Sequence, residues 1–219
     1  MRSSPSSWRL APDRHVAVCG DDLVLLDVAA GRYACIPGGG GLVQDVGEHF
    51  ALEISDIIFA KGLAEAGWIA PGFAAQPRPV LPRPAQSLSI EAGHPSGQDV
   101  WRMGQALIDV AAHYHGRSFA HLIATARRRR PVQCAADLQA LAHQVGAFRA
   151  LLPWAPFQGV CLYRSFLLLN FLRHAGLDAV WAFGVRTWPF EAHCWLQAGD
   201  LVLDDHLDHV AGYTPILVV

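Results

Sequence analysis

The chain has 219 residues, 52% of them hydrophobic, and carries 17 basic and 19 acidic side chains for a net charge of −2 with histidine neutral. That near-balance argues against a general nucleic-acid binder and against a polyionic substrate, so recognition through shape and backbone is expected. No N-terminal segment has the apolar core of a signal peptide, and no run reaches the ~20 apolar residues of a membrane span, which predicts a cytoplasmic protein away from the membrane.

The length allows two domains, each with its own core. In chain order, His15–Cys19, Leu23–Val28 and Arg32–Ile36 are short runs rich in valine, leucine and aromatics, separated by Gly20-Asp21 and by the Ala30-Gly31 turn, and they predict three antiparallel strands. Leu42–Phe50 and Ser55–Ala66 show apolar residues at helical spacing, with Ser55 as N-cap and Gly67 as the C′ residue. Residues 1–75 are therefore expected to form a small domain of three strands followed by helices. Residues 76–97, with Pro77, Pro79, Pro82 and Pro84 among small and polar side chains, predict a proline-rich linker, because each proline fixes φ and removes an amide donor.

Residues 98–219 predict a second domain of α+β class. Val100–His115 is expected as a helix with Trp101, Leu107, Ile108 and Ala111 on its apolar face, followed by a short segment near Ser118–Ala126 and a helix over Ala135–Leu152 that ends at Pro153 and Pro156. The next run, from Val160 to Ala175, is apolar nearly all round and is capped by Gly176, so it predicts a central buried helix. Ala179–Arg186, Glu191–Gln197 and Leu201–Asp205 are strand candidates.

Three residues in this half carry chemistry. Cys161 opens the buried helix, His193 lies in a strand and Asp205 follows at hairpin distance. That is the order of a thiolate nucleophile, an imidazole that takes and returns a proton, and a carboxylate that fixes the imidazole tautomer. At a helix start, unpaired amides and the helix dipole favour the thiolate and can receive an oxyanion. Strand alternation puts His193 on one face and Cys194 on the other, which leaves Cys194 to the core. The acid depends on register. A two-residue Gly199-Asp200 turn, mildly preferred because glycine at its first position suits type II′, puts Asp204 on the histidine's face, whereas a three-residue loop sets Asp205 opposite it.

The five cysteines, Cys19, Cys35, Cys134, Cys161 and Cys194, are scattered without a C-x-x-C pair, which speaks against a disulfide framework or a thiolate zinc site. His206 and His209, with Asp204, Asp205 and Asp208, match no specific ligand spacing, so no metal or other cofactor is expected. Gln158 is a possible side-chain oxyanion donor near Cys161.

CLYRS at Cys161–Ser165, the helix ending at Gly176, FGV at Phe183–Val185, PFEAHCW at Pro189–Trp195 and the Asp204-Asp205 pair after GDLVL resemble the fused B protein of lasso-peptide biosynthesis, a leader peptidase of the transglutaminase-like, papain-like cysteine-protease class. The resemblance implies Cys161 as nucleophile, His193 as base and Asp205 as the acid, and it outweighs the turn argument. It departs at Cys194, where the family commonly has alanine. The N-terminal part is similar to a winged-helix-like leader-recognition domain, which implies that a ribosomal precursor's leader adds as a strand beside Tyr33, Ala34, Cys35 and Ile36 and packs on a helix bearing Ile58 and Leu63. The same resemblance implies cleavage at the leader–core junction and hand-over to an asparagine-synthetase-like macrolactam synthetase. A non-catalytic precursor-binding escort, or an acyl transferase using the same thiol, is the alternative.

Overall fold

The computed structural model describes residues 7–45, 52–72, 80–88, 93–128, 138–156 and 161–219. Contacts group the chain into two compact units. The first is Met1–Val80 with Val185–Glu191 and Thr214–Ile216, and the second is Leu81–Gly184 with Ala192–Tyr213 and Leu217–Val219.

In the first unit, strand β1 (Ser7–Leu10) precedes β2 (Arg14–Cys19), β3 (Asp22–Asp27) and β4 (Arg32–Ile36). The last three form the expected antiparallel meander, with Leu25 opposite both Val16 and Ala34. Gly20, at φ +59°, takes the first position of the two-residue turn between Cys19 and Asp22, a conformation that favours glycine. β3 lies between its neighbours and is buried along its whole length, which explains its unbroken apolar run Leu23–Leu26.

The next stretch differs from the helix expected over Leu42–Phe50. Val43–Asp45 is strand β5, residues 46–51 lie outside the described set, and Leu52–Ile54 is strand β6. Leu52 and Ile54 are buried and Glu53 is exposed, an alternation too short to stand out against helical spacing in the sequence. β5, β6, β1 and β7 (Ile69–Pro71) form a four-stranded sheet in that order. Helix α1 (Ile57–Glu65) is capped by Asp56, whose carboxylate accepts from the amides of Ile58 and Phe59 at 2.7 and 3.0 Å. Ser55, the expected cap, instead donates its hydroxyl to the Leu42 carbonyl. Gly67 follows the C-cap at φ +74°, as anticipated. Trp8, Leu23, Leu25, Leu52, Ile54 and Leu63 meet in one core.

The second unit begins with β8 (Gln86–Ser87), a strand inside the stretch expected to be linker, followed by helix α2 (Gly97–His113). Ser96 and Asp99 close a reciprocal capping box at the start of α2. α2 buries Met103, Ala106 and Val110, while Trp101 and Ile108 are 69% and 70% exposed, so the inward face is the opposite of the expected one. Two apolar stripes share this helix, and the stripe of smaller side chains is the one that fits closely against its neighbours.

Helices α3 (Phe119–Arg128), α4 (Leu138–Leu151) and α5 (Cys161–His174) follow. α5 is the central helix, with Phe166 to Leu172 all buried and Gly176 at φ +76° ending it. Strands β9 (Val180–Arg186), β10 (Glu191–Ala198) and β11 (Leu201–Val202), a short helix α6 (Leu207–Val210) and β12 (Thr214–Val218) complete the chain. The five-stranded sheet runs β12-β9-β10-β11-β8, with β8 parallel to β11. β11 is shorter than the expected Leu201–Asp205, and that shortening shapes the site. Among the described residues, no helix is long and apolar enough to cross a membrane.

Candidate active site

Cys161 is the first residue of α5 and is partly exposed. The side chains of Cys194 and His193, both on β10, are its electrostatic neighbours. His193 turns Nε2 to Asp205 Oδ2 at 2.5 Å. Asp205 Oδ1 also accepts the amide of His206 at 2.7 Å, and both carboxylate oxygens lie 3.1 Å from His209 Nδ1. The imidazole of His193 packs against the rings of His209 and Tyr213, with centroids at 4.6 and 5.2 Å, and these rings brace its orientation. The structure thus joins His193 to Asp205 directly, with Cys161 an electrostatic neighbour of His193, all three within the second unit.

The electrostatics follow from these contacts. The Cys194 thiol and then the His193 ring stabilise the charged form of Cys161 against its burial, and its pKa falls to about 4. Burial alone would lower that of His193, but the bonds to Asp205 and Cys161 and their charges prevail and raise it to about 9. Burial likewise opposes the charge of Asp205, and the donors His193, His206 and His209 overcome it and hold the carboxyl below its ordinary range. The favoured state at neutral pH is a thiolate–imidazolium pair braced by a carboxylate.

Both halves of the register argument meet here. β10 and β11 pair Gln197 with Val202 and Ala198 with Leu201 around the two-residue Gly199-Asp200 turn, with Gly199 at φ +60°. Yet it is Asp205 that reaches His193, because β11 ends at Val202 and, although the Leu203 amide still donates to the Leu196 carbonyl, the Leu196 amide turns to the Asp204 carboxylate and the chain leaves the ladder. Asp204 turns inward, where its Oδ1 accepts the Leu196 amide at 2.8 Å, its own carbonyl accepts from Arg164, and its Oδ2 is buried without a partner. Burial pushes its pKa up to about 6. It closes the end of β10 in place of a strand.

Ser165, one turn beyond Cys161, donates to the Cys161 carbonyl at 2.7 Å, accepts from Trp181 Nε1 at 2.8 Å and lies 3.3 Å from the Cys194 sulfur. Alternation had assigned Cys194 to the core. It is indeed buried, at 3% exposure, but α5 packs against that face, so the thiol touches the site from behind. His209 was also missed as a partner of Asp205. The i,i+4 spacing of the two was the available signal. His193, Asp205 and His209 offer ligand atoms within 4.8 Å of one another, but their protons and lone pairs are already matched, and no metal is assigned. Gln158 and Cys134 lie outside the described residues.

The residues expected at the leader site lie in the first unit. Tyr33, Ala34, Cys35 and Ile36 form β4, the terminal strand of its sheet among the described residues, with Ala34 and Cys35 exposed. Ile58 is 79% exposed on α1, whereas Leu63 is buried in the core.

A family model described as the transglutaminase-like superfamily matches residues 104–218. The chain is also 39% identical over 49 residues to the microcin J25-processing protein McjB of Escherichia coli, a stretch that covers 22% of this chain and 24% of that relative. It therefore spans about a quarter of the curated relative it matches. No solved structure matches significantly.

Proposed function

Because the chain belongs to the transglutaminase-like superfamily, we propose that it is a cysteine peptidase that removes the leader from a ribosomally made precursor during lasso-peptide maturation. The observation that supports this reading is the hydrogen bond of His193 to Asp205, with Cys161 at the start of α5 as an electrostatic neighbour of the same histidine. The likeness to a protein named for processing microcin J25 supports peptide maturation as its setting.

In this mechanism the Cys161 thiolate attacks the carbonyl carbon at the leader–core junction, and the first-turn amides of α5 receive the developing oxyanion. The His193 imidazolium gives a proton to the leaving amine. The neutral ring then takes one from water, whose oxygen attacks the thioester and frees the Cys161 sulfur. Asp205 keeps Nε2 protonated throughout, so that Nδ1 does the proton transfer. His209 and the His206 amide keep Asp205 in place.

Residues 1–75 are the leader-recognition domain, and 76–97 is its connection to the peptidase at 98–219. The leader adds as a strand to β4, with backbone pairing to Tyr33–Ile36 and a side-chain contact at Ile58. The core peptide passes to an asparagine-synthetase-like macrolactam synthetase. The full chain incubated with a precursor peptide encoded beside it tests this. Mass spectrometry is expected to show one cut at the leader–core junction, lost in Cys161→Ala. Binding without any cut would instead identify an escort protein, and transfer to an added amine in place of hydrolysis would identify an acyl transferase.

A further inference from the structure

β11 ends at Val202, and a few residues later Asp205 holds Nε2 of His193. Between them, Arg164 Nη2 donates to the carbonyl of Asp204 at 2.9 Å. We infer that Arg164 is a positioning residue, which by holding the Asp204 carbonyl fixes where the chain leaves the sheet and so delivers Asp205 to His193. This role rests on the peptidase reading for the task of Asp205 and His193, and deepens it by naming what keeps the acid within reach of the base.

Three observations support it. First, Arg164 follows Cys161 by one helical turn in α5, so the two side chains rise from one face of that helix. One helix thus supplies both the nucleophile and the hold on the residue before the acid. Second, the chain around the clamped carbonyl is tied as well: Arg149 Nη2 donates to the Leu203 carbonyl at 3.3 Å and to that of Leu88 at 3.2 Å, and the Asp204 carboxylate accepts the Leu196 amide at 2.8 Å. With Leu203 and Asp204 held, Asp205 is left little backbone freedom. Third, Arg164 Nε is buried without a partner among the described residues. A guanidinium with an unmet N–H costs stability, so an apolar side chain would serve packing better, and the bond to the Asp204 carbonyl is what the arginine provides there.

Charge and position act on His193 in opposite directions. The groups around its imidazole are Asp205, Cys161 and Asp204, with the rings of His209, Tyr213 and Trp195 packed against it. Removing the Arg164 cation takes a repulsive charge away from the imidazolium, which by itself would raise the His193 pKa. Releasing Asp205 takes away a hydrogen bond and a negative charge, which lowers it. A fall therefore reports lost position and a rise reports lost charge.

The test is an NMR titration of the His193 ring in the full chain, its resonance assigned by its absence from His193→Gln. Arg164→Met keeps the stem and removes the donor, Arg164→Gln puts an amide too short to reach in its place in case the first does not fold, and Arg164→Lys keeps a charged donor of similar length. The His193 pKa is expected to fall from about 9 by about one pH unit in the first two variants, a roughly tenfold loss of proton affinity, and to return most of the way in the third. The same fall is expected in an Asp204→Asn background, which keeps the carbonyl and removes the neighbouring charge. A value that stays or rises in Arg164→Met or Arg164→Gln, or one that falls equally in all three variants, would overturn the assignment. No peptide enters this assay, so a failed cleavage experiment with a lowered His193 pKa would count against the peptidase reading and leave the placement of Asp205 by Arg164 standing.

Discussion

Asp205 holds His193 Nε2 at 2.5 Å while its neighbour Asp204 faces the core and takes the Leu196 amide. Two adjacent carboxylates therefore have separable duties. Asp205→Ala is expected to lower kcat/KM for leader cleavage by roughly 10²–10⁴-fold, because the imidazole loses the group that fixes its tautomer. Asp204→Ala should keep most of the activity and instead melt at lower temperature when compared below about pH 6, where Asp204 is protonated, since the Leu196 amide loses its acceptor at a cost of about 1 kcal/mol. Steady-state kinetics and circular dichroism on both variants decide the matter, and the larger kinetic loss at Asp204 would exchange the two roles.

The Cys161–His193 pair sets a second expectation. With the thiol lowered to about 4 and the imidazole raised to about 9, kcat/KM should form a bell with an acid limb near the first value and an alkaline limb near the second. Below the acid limb the thiolate is protonated and cannot attack. Above the alkaline limb the imidazolium has no proton for the leaving amine. Rates measured across this range test it, and a profile that rises only near the ordinary thiol pKa would mean that the ion pair does not form.

How much of this was legible in the sequence depended on the range of the interactions involved. The meander β2-β3-β4 and the buried helix α5 with Cys161 at its start are encoded locally, in continuous apolar runs. The three-residue strands β5 and β6 were not, because a Leu-Glu-Ile alternation carries too few positions to oppose a helical reading. The inward face of α2 was lost for another reason. Indole and isoleucine at Trp101 and Ile108 weigh heavily in any hydrophobic pattern, but what α5 and α4 accept is the narrower stripe of Met103, Ala106 and Val110. Asp205 needed the resemblance, since the residue at which a strand leaves its ladder is fixed by tertiary contacts and not by turn chemistry.

Asp204 also gives a stability expectation. Its folded pKa of about 6 lies above the ordinary 3.8, so the folded state binds this proton more tightly than the unfolded one. The corresponding stability is fully present below the unfolded value and is lost as pH rises through about 6, an effect on the order of 3 kcal/mol across that window. Asp204→Asn keeps an acceptor for the Leu196 amide and removes the charge. Denaturant melts between these two pH values should show a falling stability in the parent and a flatter dependence in the variant. Equal slopes would mean that Asp204 does not titrate in this range.

Gly184 connects the sheet to the histidine through packing. A Cβ built there would lie 2.8 Å from Trp195 Cζ3 and 2.8 Å from Tyr213 Cβ, closer than side chains tolerate. Neither neighbour can yield cheaply, because Trp195 is 1% exposed and the Tyr213 contact is at the base of its side chain. Both rings also lie against the His193 imidazole, at 6.2 and 5.2 Å between centroids, so a shift in either is transmitted to the base. Gly184→Ala is therefore expected to destabilise the chain by about 1–3 kcal/mol through overpacking. It should also lower kcat more than it raises KM, because the displaced imidazole meets Cys161 out of line while the residues proposed to bind the leader are untouched. Thermal melting together with full kinetics on the purified variant checks both parts. A variant as stable and as active as the parent would mean that the contact at Gly184 relaxes without moving the rings that hold His193.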